Sequence, residues 1–179
     1  MRRLLLATRN AHKLREFARL AEGGEGGPIS IDPLPDEVEL PPEDGATFAD
    51  NALGKARAAA AALGGRPGVR SARYAGEQAS DAENLAKLLR EAPPGSPLAY
   101  VCALAYVDPA AGVEQVFEER CTGTLAVAPR GAGGFGYDPA FLPDDGAPDR
   151  TMAELSDAQK DAISHRGRAV RALRAWLPD

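Results

Sequence analysis

Two short stretches of this chain place cations where helix electrostatics disfavours them. The first is ATRNAHK, residues 7–13, at a strand-to-helix junction. If Asn10 caps the helix, Lys13 falls in its first turn, with His12 beside it and Arg9 just before. The N-terminal end of a helix favours anions. Positive side chains there make sense when a phosphate occupies the site, held by free backbone N–H groups and the lysine. The plainer alternative is a solvated lysine on a marginal helix start. The second stretch, KDAISHRGRAV at 160–170, repeats the logic: Ser164 is a good N-cap, His165 and Arg166 follow in the first turn, and Lys160 lies upstream. Two such sites favour an anion more than one does, although a lone histidine such as His165 is more commonly packed against a carbonyl.

A third stretch, GAGGFGYDP at 131–139, contains the spacing GxGxxG in Gly131, Gly133 and Gly136. A dinucleotide-binding turn needs a helix straight after, and Pro139 forbids it. Glycines flanking Phe135 and Tyr137 suit a loop that lets backbone and an aromatic face approach a flat ligand, such as a base stacked on Phe135. A tight turn with a core aromatic is the alternative. A fourth stretch is the acidic loop with Glu43 and Asp44 ahead of GATFADNALGK. Carboxylates beside phosphate-binding cations can hold Mg²⁺, which prefers oxygen ligands; otherwise they are simply solvated. Asn51 and Lys55 stand four apart on one helix face and can point into the same site. There is no GxxxxGK[ST], GxSxG or HExxH, and no Cys/His cluster with metal spacing, which argues against a P-loop nucleotidase, a serine hydrolase and a zincin.

The elements that must position these residues follow from periodicity and punctuation. A short buried strand is expected over 3–7 and a helix from Ala11 to about Ala21 with Leu14, Phe17 and Leu20 on one face. A strand over 29–34 precedes a Pro-rich acidic loop over 35–46. Thr47 and Asp50 resemble a capping box for a helix running to Leu63. Loop is expected over 64–76 and a helix over 79–91 with Leu85, Leu88 and Leu89 aligned. Strands at 98–107 and 113–127 around DPAAG make a hairpin. A strand near 140–142 and helices at 157–162 and 165–176 complete an α/β pattern with a mixed sheet.

Bulk properties narrow the class. At 179 residues, 44% hydrophobic and 26% charged, the chain suits one soluble domain. A net charge of −5 argues against a general nucleic-acid binder but not against a local cationic pocket. Cys102 and Cys121 have no CxxC spacing and read as reduced thiols on strands. The apolar run in MRRLLLATRN ends at Ala7, too short for a signal peptide or a membrane span, so no membrane partner and a cytoplasmic location are the expectation.

Taken together, five blocks resemble the Ham1/RdgB family of inosine triphosphate pyrophosphatases. They are ATRNAHKLREF at 7–17, EDGATFADNALGKARAAA at 43–60, LGGRPGVRSARYAG at 63–76, GGFGYDPAF at 133–141 and TMAELSDAQKDAISHRGRA at 151–169. The resemblance implies a single ITPase-like domain over 1–179, an elongated mixed sheet with helices around it and two lobes about a cleft. The second-lobe hairpin would lie at roughly 98–127, and the assembly would be a homodimer. It implies Mg²⁺-dependent hydrolysis of ITP, dITP and XTP to the monophosphate and pyrophosphate, cleansing the nucleotide pool of deaminated purines. By matching positions, Thr8, Asn10 and Lys13 would hold the triphosphate, with Arg9 and Asn51 near them. Lys55 would contact phosphates, and Glu43, with or without Asp44, would serve the metal. Phe135 would stack on the base, and Gly136, Tyr137, Asp138, Lys160, Ser164, His165 and Arg166 would complete the pocket.

One block of the family pattern is missing. Members carry an ADDSGLEVD-like segment between the KARAAA helix and LGG, and its second aspartate is their usual catalytic base. Here KARAAAAALGG runs straight through, with no Asp or Glu between Lys55 and Gly64. The loss is on the order of fifteen residues, the size of a strand, a turn and part of a second strand. The loss raises one alternative, a catalytically silent nucleotide-binding module on the same fold. A weaker third reading, resting on shared architecture, is a relative of the Maf-type pyrophosphatases with other base preferences, which the ISHR and GGFGYDP blocks argue against.

Overall fold

Leu4, Leu5 and Leu6 sit in the first strand, β1 (Arg2–Leu6), which pairs in parallel with β2 (Ile29–Pro33), Arg2 opposite Ile29 and Leu6 opposite Pro33. Parallel strands need a crossover, and α1 (Ala11–Glu22) supplies it. The structure, a computed structural model, describes residues 2–6, 8–22, 29–33, 36, 68–108, 110–146 and 149–177. The expected helix from Thr47 to Leu63, with Glu43, Asp44, Asp50, Asn51 and Lys55, lies outside the described residues.

Within the expected loop over 64–76, a 3₁₀ turn forms at Gly68–Arg73. The next helix, α2 (Asp81–Glu91), opens on a capping box between Ser80 and Glu83 and turns Leu85, Leu88 and Leu89 inward as their spacing predicts. The hairpin is antiparallel, β3 (Pro97–Asp108) with β4 (Val113–Leu125), Pro97 facing Thr124 and Asp108 facing Val113. Asp108 Oδ1 closes its turn by accepting from the amides of Ala110 and Ala111 at 3.0 and 3.1 Å. The short β5 (Phe141–Pro143) adds to β4. Among the described residues, then, the strands form a parallel pair and an antiparallel triple.

The chain closes with α3 (Asp157–Ile163) and α4 (His165–Trp176). They turn sharply on Ser164, and a Cβ on Gly167 would run into the Asp161 carbonyl, so only glycine lets the two helices approach this closely. Arg19 of α1 forks onto Asp161 at 2.8 Å through Nε and also reaches Asp157, tying α1 to α3. Phe17, Cys102, Ala169 and Val170 make a core where α1, β3 and α4 meet, with Leu6, Leu20 and Leu104 packed against it. A second cluster joins Leu88, Leu125 and Ala140, and a third joins Cys121, Phe141 and Met152; Leu98 touches both. The two cysteines are free and buried, and burial pushes each thiol up to about 11. Among the described residues no helix is long and apolar enough to cross a membrane.

Candidate functional site

The loop from Arg130 to Asp138 is held from below before any side chain of the site is considered. The Arg130 amide donates to the Pro139 carbonyl at 2.8 Å, the Gly133 amide to the Ala153 carbonyl at 2.9 Å, and the Thr151 hydroxyl to the Arg130 carbonyl at 2.9 Å. Gly134 takes φ +70°, and a Cβ there would strike the Asp138 carboxylate, which explains a glycine at this point of GGFGYDP. That carboxylate turns back on the loop: Oδ2 accepts from the Phe135 amide at 2.9 Å and from Lys160 Nζ at 2.9 Å. Oδ1 accepts from the Tyr100 hydroxyl at 3.2 Å.

Phe135 is thereby presented at the junction of three elements. Lys160 Nζ of α3 stands 5.2 Å from its ring centroid and the Arg166 guanidinium of α4 stands 4.9 Å away. The His12 ring of α1 meets it edge-on at 4.9 Å. His12 therefore brings the start of α1 against the aromatic loop.

Beneath Phe135 lies a buried ionic cluster. Lys160 is 5% exposed and sits between Asp138 and Glu16, with Nζ 3.1 Å from Glu16 Oε1. Arg166 Nη1 donates to Glu16 Oε2 at 2.6 Å. Two carboxylates and two cations balance. Burial raises the Glu16 pKa, but the fields of Arg166 and Lys160 outweigh it and hold the carboxyl below its usual range. His165, buried at the start of α4, is pushed well below its ordinary value by desolvation and by Arg166, Lys160 and Lys13, so it is neutral, and its Nδ1 has no hydrogen-bond partner among the described residues.

The two helix starts carry the caps that their sequences predict. Asn10 Oδ1 accepts from the Lys13 amide at 3.0 Å, and Thr8 Oγ1 from the Asn10 amide at 3.2 Å. Arg9 reaches Asp36 at 3.3 Å on the surface. Ser164 is fully buried and caps α4 through the Gly167 amide at 3.0 Å. The anion beside α4 is supplied by the protein itself, in Glu16 and Asp138, so the cations there do not by themselves require a phosphate.

The structure thus gathers Phe135, Asp138, Lys160, His165 and Arg166 into one cluster. Gly136 and Tyr137 adjoin it but are engaged sideways: the Gly136 amide donates to Asp81 Oδ2 at 2.8 Å and the Tyr137 hydroxyl to the Ser71 carbonyl at 2.6 Å. Burial pushes the Tyr137 phenol up to about 12. Sequence reasoning missed Glu16, Tyr100 and Asp81. Glu16 had a signal, since it lies four residues from both His12 and Leu20 and puts a carboxylate on the inward side of α1. Tyr100 had only the strand alternation that it shares with Leu98 and Cys102.

Among the described residues no group of three or more His, Cys, Asp and Glu side chains could hold a metal ion. Glu16 and Asp138 are already committed to Lys160 and Arg166, and an ammonium 2.9–3.1 Å away leaves no room for a divalent ion. The described part of the site does not fit Mg²⁺, and the expected donors Glu43 and Asp44 lie outside it.

A sequence model of the Ham1 family matches residues 4–176. A "dITP/XTP pyrophosphatase" of Geobacillus kaustophilus is 46% identical, over 97% of this chain and 93% of that protein. One of Mycobacterium tuberculosis is 44% identical, over 96% and 93%. Among solved structures, a dITP/XTP pyrophosphatase of Mycobacterium abscessus superposes with TM-score 0.67 at 42% identity, covering 99% of this chain and 100% of that one. The Staphylococcus aureus Ham1 protein does so with TM-score 0.74 at 31% identity, covering 98% and 97%. The Geobacillus alignment runs over 196 positions yet takes in about 174 residues of this chain, 97% of 179. About 22 of its positions therefore face gaps here, enough to contain the acidic segment absent after KARAAA.

Proposed function

The chain belongs to the Ham1 family, and from that premise we propose that it hydrolyses deaminated purine nucleoside triphosphates (ITP, dITP and XTP) to the monophosphate and pyrophosphate. The observation that carries this reading is Phe135, set over the paired cations Lys160 and Arg166 and against His12 at the start of α1. A purine base stacks on the ring. Lys160 and Arg166 offer donors to its 6-oxo group, and a 6-amino group would leave such donors unpaired. The triphosphate extends to the exposed start of α1, where Thr8, Arg9, Asn10 and Lys13 follow one another and the helix dipole favours an anion.

Water attacks the α-phosphorus and pyrophosphate departs with its charge on oxygens. Lys13 would face that charge, with Lys55 and Asn51 assigned beside it by the family resemblance alone, and such fixed cations lower the barrier electrostatically. Mg²⁺, when bound near Glu43 with Asp44, would add charge neutralisation. Asp44 is the first carboxylate to consider for orienting the water, because the family's usual aspartate has no counterpart here. We take residues 1–179 as one domain, with the hairpin of 98–127 in its second lobe; the contact of Leu98 with two core clusters supports this. A cytoplasmic homodimer completes the proposal, on the strength of the family resemblance.

The shortfall of about 22 aligned positions favours a second reading, a nucleotide-binding protein of the same fold with impaired catalysis. Pyrophosphate release from ITP, XTP, ATP and modified pyrimidine triphosphates, with Mg²⁺ and with EDTA, separates the two. Metal-dependent turnover of ITP and XTP over ATP is the expected result. Tight binding of ITP without turnover would establish the second reading instead.

A further inference from the structure

We propose that Tyr100 is a positioning residue for base recognition, its hydroxyl holding the Asp138 carboxylate in the one orientation that sets both Phe135 and Lys160. The inference rests on the base-binding role proposed above for Phe135. Three parts of the chain far apart in sequence converge on this single carboxylate: Tyr100 from β3 on Oδ1, the Phe135 amide and Lys160 from α3 on Oδ2. Asp138 is 3% exposed, so water is a poor substitute for a lost partner.

The division of labour between the two oxygens is what matters. A carboxylate pinned only through Oδ2 is free to tilt its plane about the Cβ–Cγ bond, which weakens its alignment with the amide and the ammonium. The hydroxyl on Oδ1 removes that freedom. Phe135 then keeps its amide tied to its own loop, and Lys160 keeps its ammonium between Asp138 and Glu16 under the ring. Tyr100 is itself fixed, stacked on Phe141 at 4.2 Å and 12° and set 5.0 Å from the His165 ring. Desolvation, reinforced by the Asp138 charge, keeps the phenol well above its ordinary pKa, so it remains a donor at every working pH. A purely space-filling aromatic at this position would be served equally well by phenylalanine.

Tyr100→Phe tests the distinction because it keeps the ring stack and deletes only the hydroxyl. Binding of IMP and AMP, measured by calorimetry without metal, reports base recognition independently of turnover. The hydrogen bond is to a charged group, so IMP affinity is expected to fall roughly tenfold or more, with AMP affinity changed by less than about twofold. Tyr106→Phe, on the same strand with its ring against Trp176, serves as the hydroxyl-removal control and is expected to behave as wild type. If Tyr100→Phe lowers the melting temperature but leaves the IMP-to-AMP affinity ratio at its wild-type value, the positioning role is wrong and Tyr100 is merely structural. If the wild-type protein shows no preference for IMP over AMP, the base-binding role of Phe135 fails first, and this inference with it.

Discussion

The starts of α1 and α4 present the same sequence signal and resolve it in opposite ways. Both are capped by a short polar side chain, Asn10 or Ser164, and both carry a histidine and a cation in the first turn. At α1 His12 and Lys13 stay exposed. At α4 Ser164 and His165 are buried, and Arg166 is neutralised by Glu16, a residue of the other helix. A cation at a helix start therefore does not by itself mean an open anion site, because at α4 the protein supplies the anion. The α4 end is an internally balanced platform beneath an aromatic ring, whereas the α1 end keeps its positive charge outward.

The contrast is broken most directly at Lys160. Replacing it by Met removes one of two cations and leaves two buried carboxylates to share Arg166. A loss of about 3–5 kcal/mol in urea unfolding is expected, because unpairing a buried charge leaves its desolvation uncompensated. A loss below about 1 kcal/mol would mean that the cluster is hydrated and that the two helix starts differ less than their burial indicates.

Acid sharpens the same comparison. The folded pKa of His165 is depressed below its ordinary 6.5, so as pH falls through about 6.5 the unfolded chain takes up a proton that the folded chain refuses. Stability from this group is complete above that pH and declines below it, by up to about 1.4 kcal/mol per pH unit. Glu16, whose folded pKa lies below 4.5, adds a second decline at more acid pH, as the unfolded carboxylate protonates first. Urea titrations between pH 7 and pH 5 should show a slope that His165→Gln flattens. An unchanged slope in that variant would show that His165 titrates alike in both states.

Lys13→Met is expected to have the smallest effect on stability, within about 0.5 kcal/mol, since the side chain is exposed at the start of α1. Its effect should appear in function, as several-fold weaker binding of inorganic tripolyphosphate with a reduced dependence on salt. A stability loss comparable to that of Lys160→Met would erase the distinction between the two ends.

Much of the fold was legible because the local rules agree with one another. The strand over 3–7 appears as β1, and the leucine spacing of 79–91 appears as α2 with its Ser80 cap. The hairpin extends only a residue beyond the expected 98–107 and stops two short of 127. The 3₁₀ turn at Gly68–Arg73 was not legible, because a glycine-punctuated stretch carries no periodicity to read. In the site, the cations and Phe135 announce themselves by type and position. Glu16 and Tyr100 look locally like an ordinary helix charge and an ordinary strand aromatic, and only their partners 150 and 38 residues away give them a role.

The sequence by itself determined the helix starts, the caps, the glycine that lets the aromatic loop fold over Asp138, and the family to which the five blocks point. Those are properties of neighbours along the chain, where hydrogen-bond reach and backbone freedom span a few residues. Tertiary structure alone decided which cations are spent internally and which remain outward. That outcome depends on the carboxylate each charge meets after folding, and no local pattern specifies how α1 packs against α3 and α4 to bring Glu16 between Lys160 and Arg166.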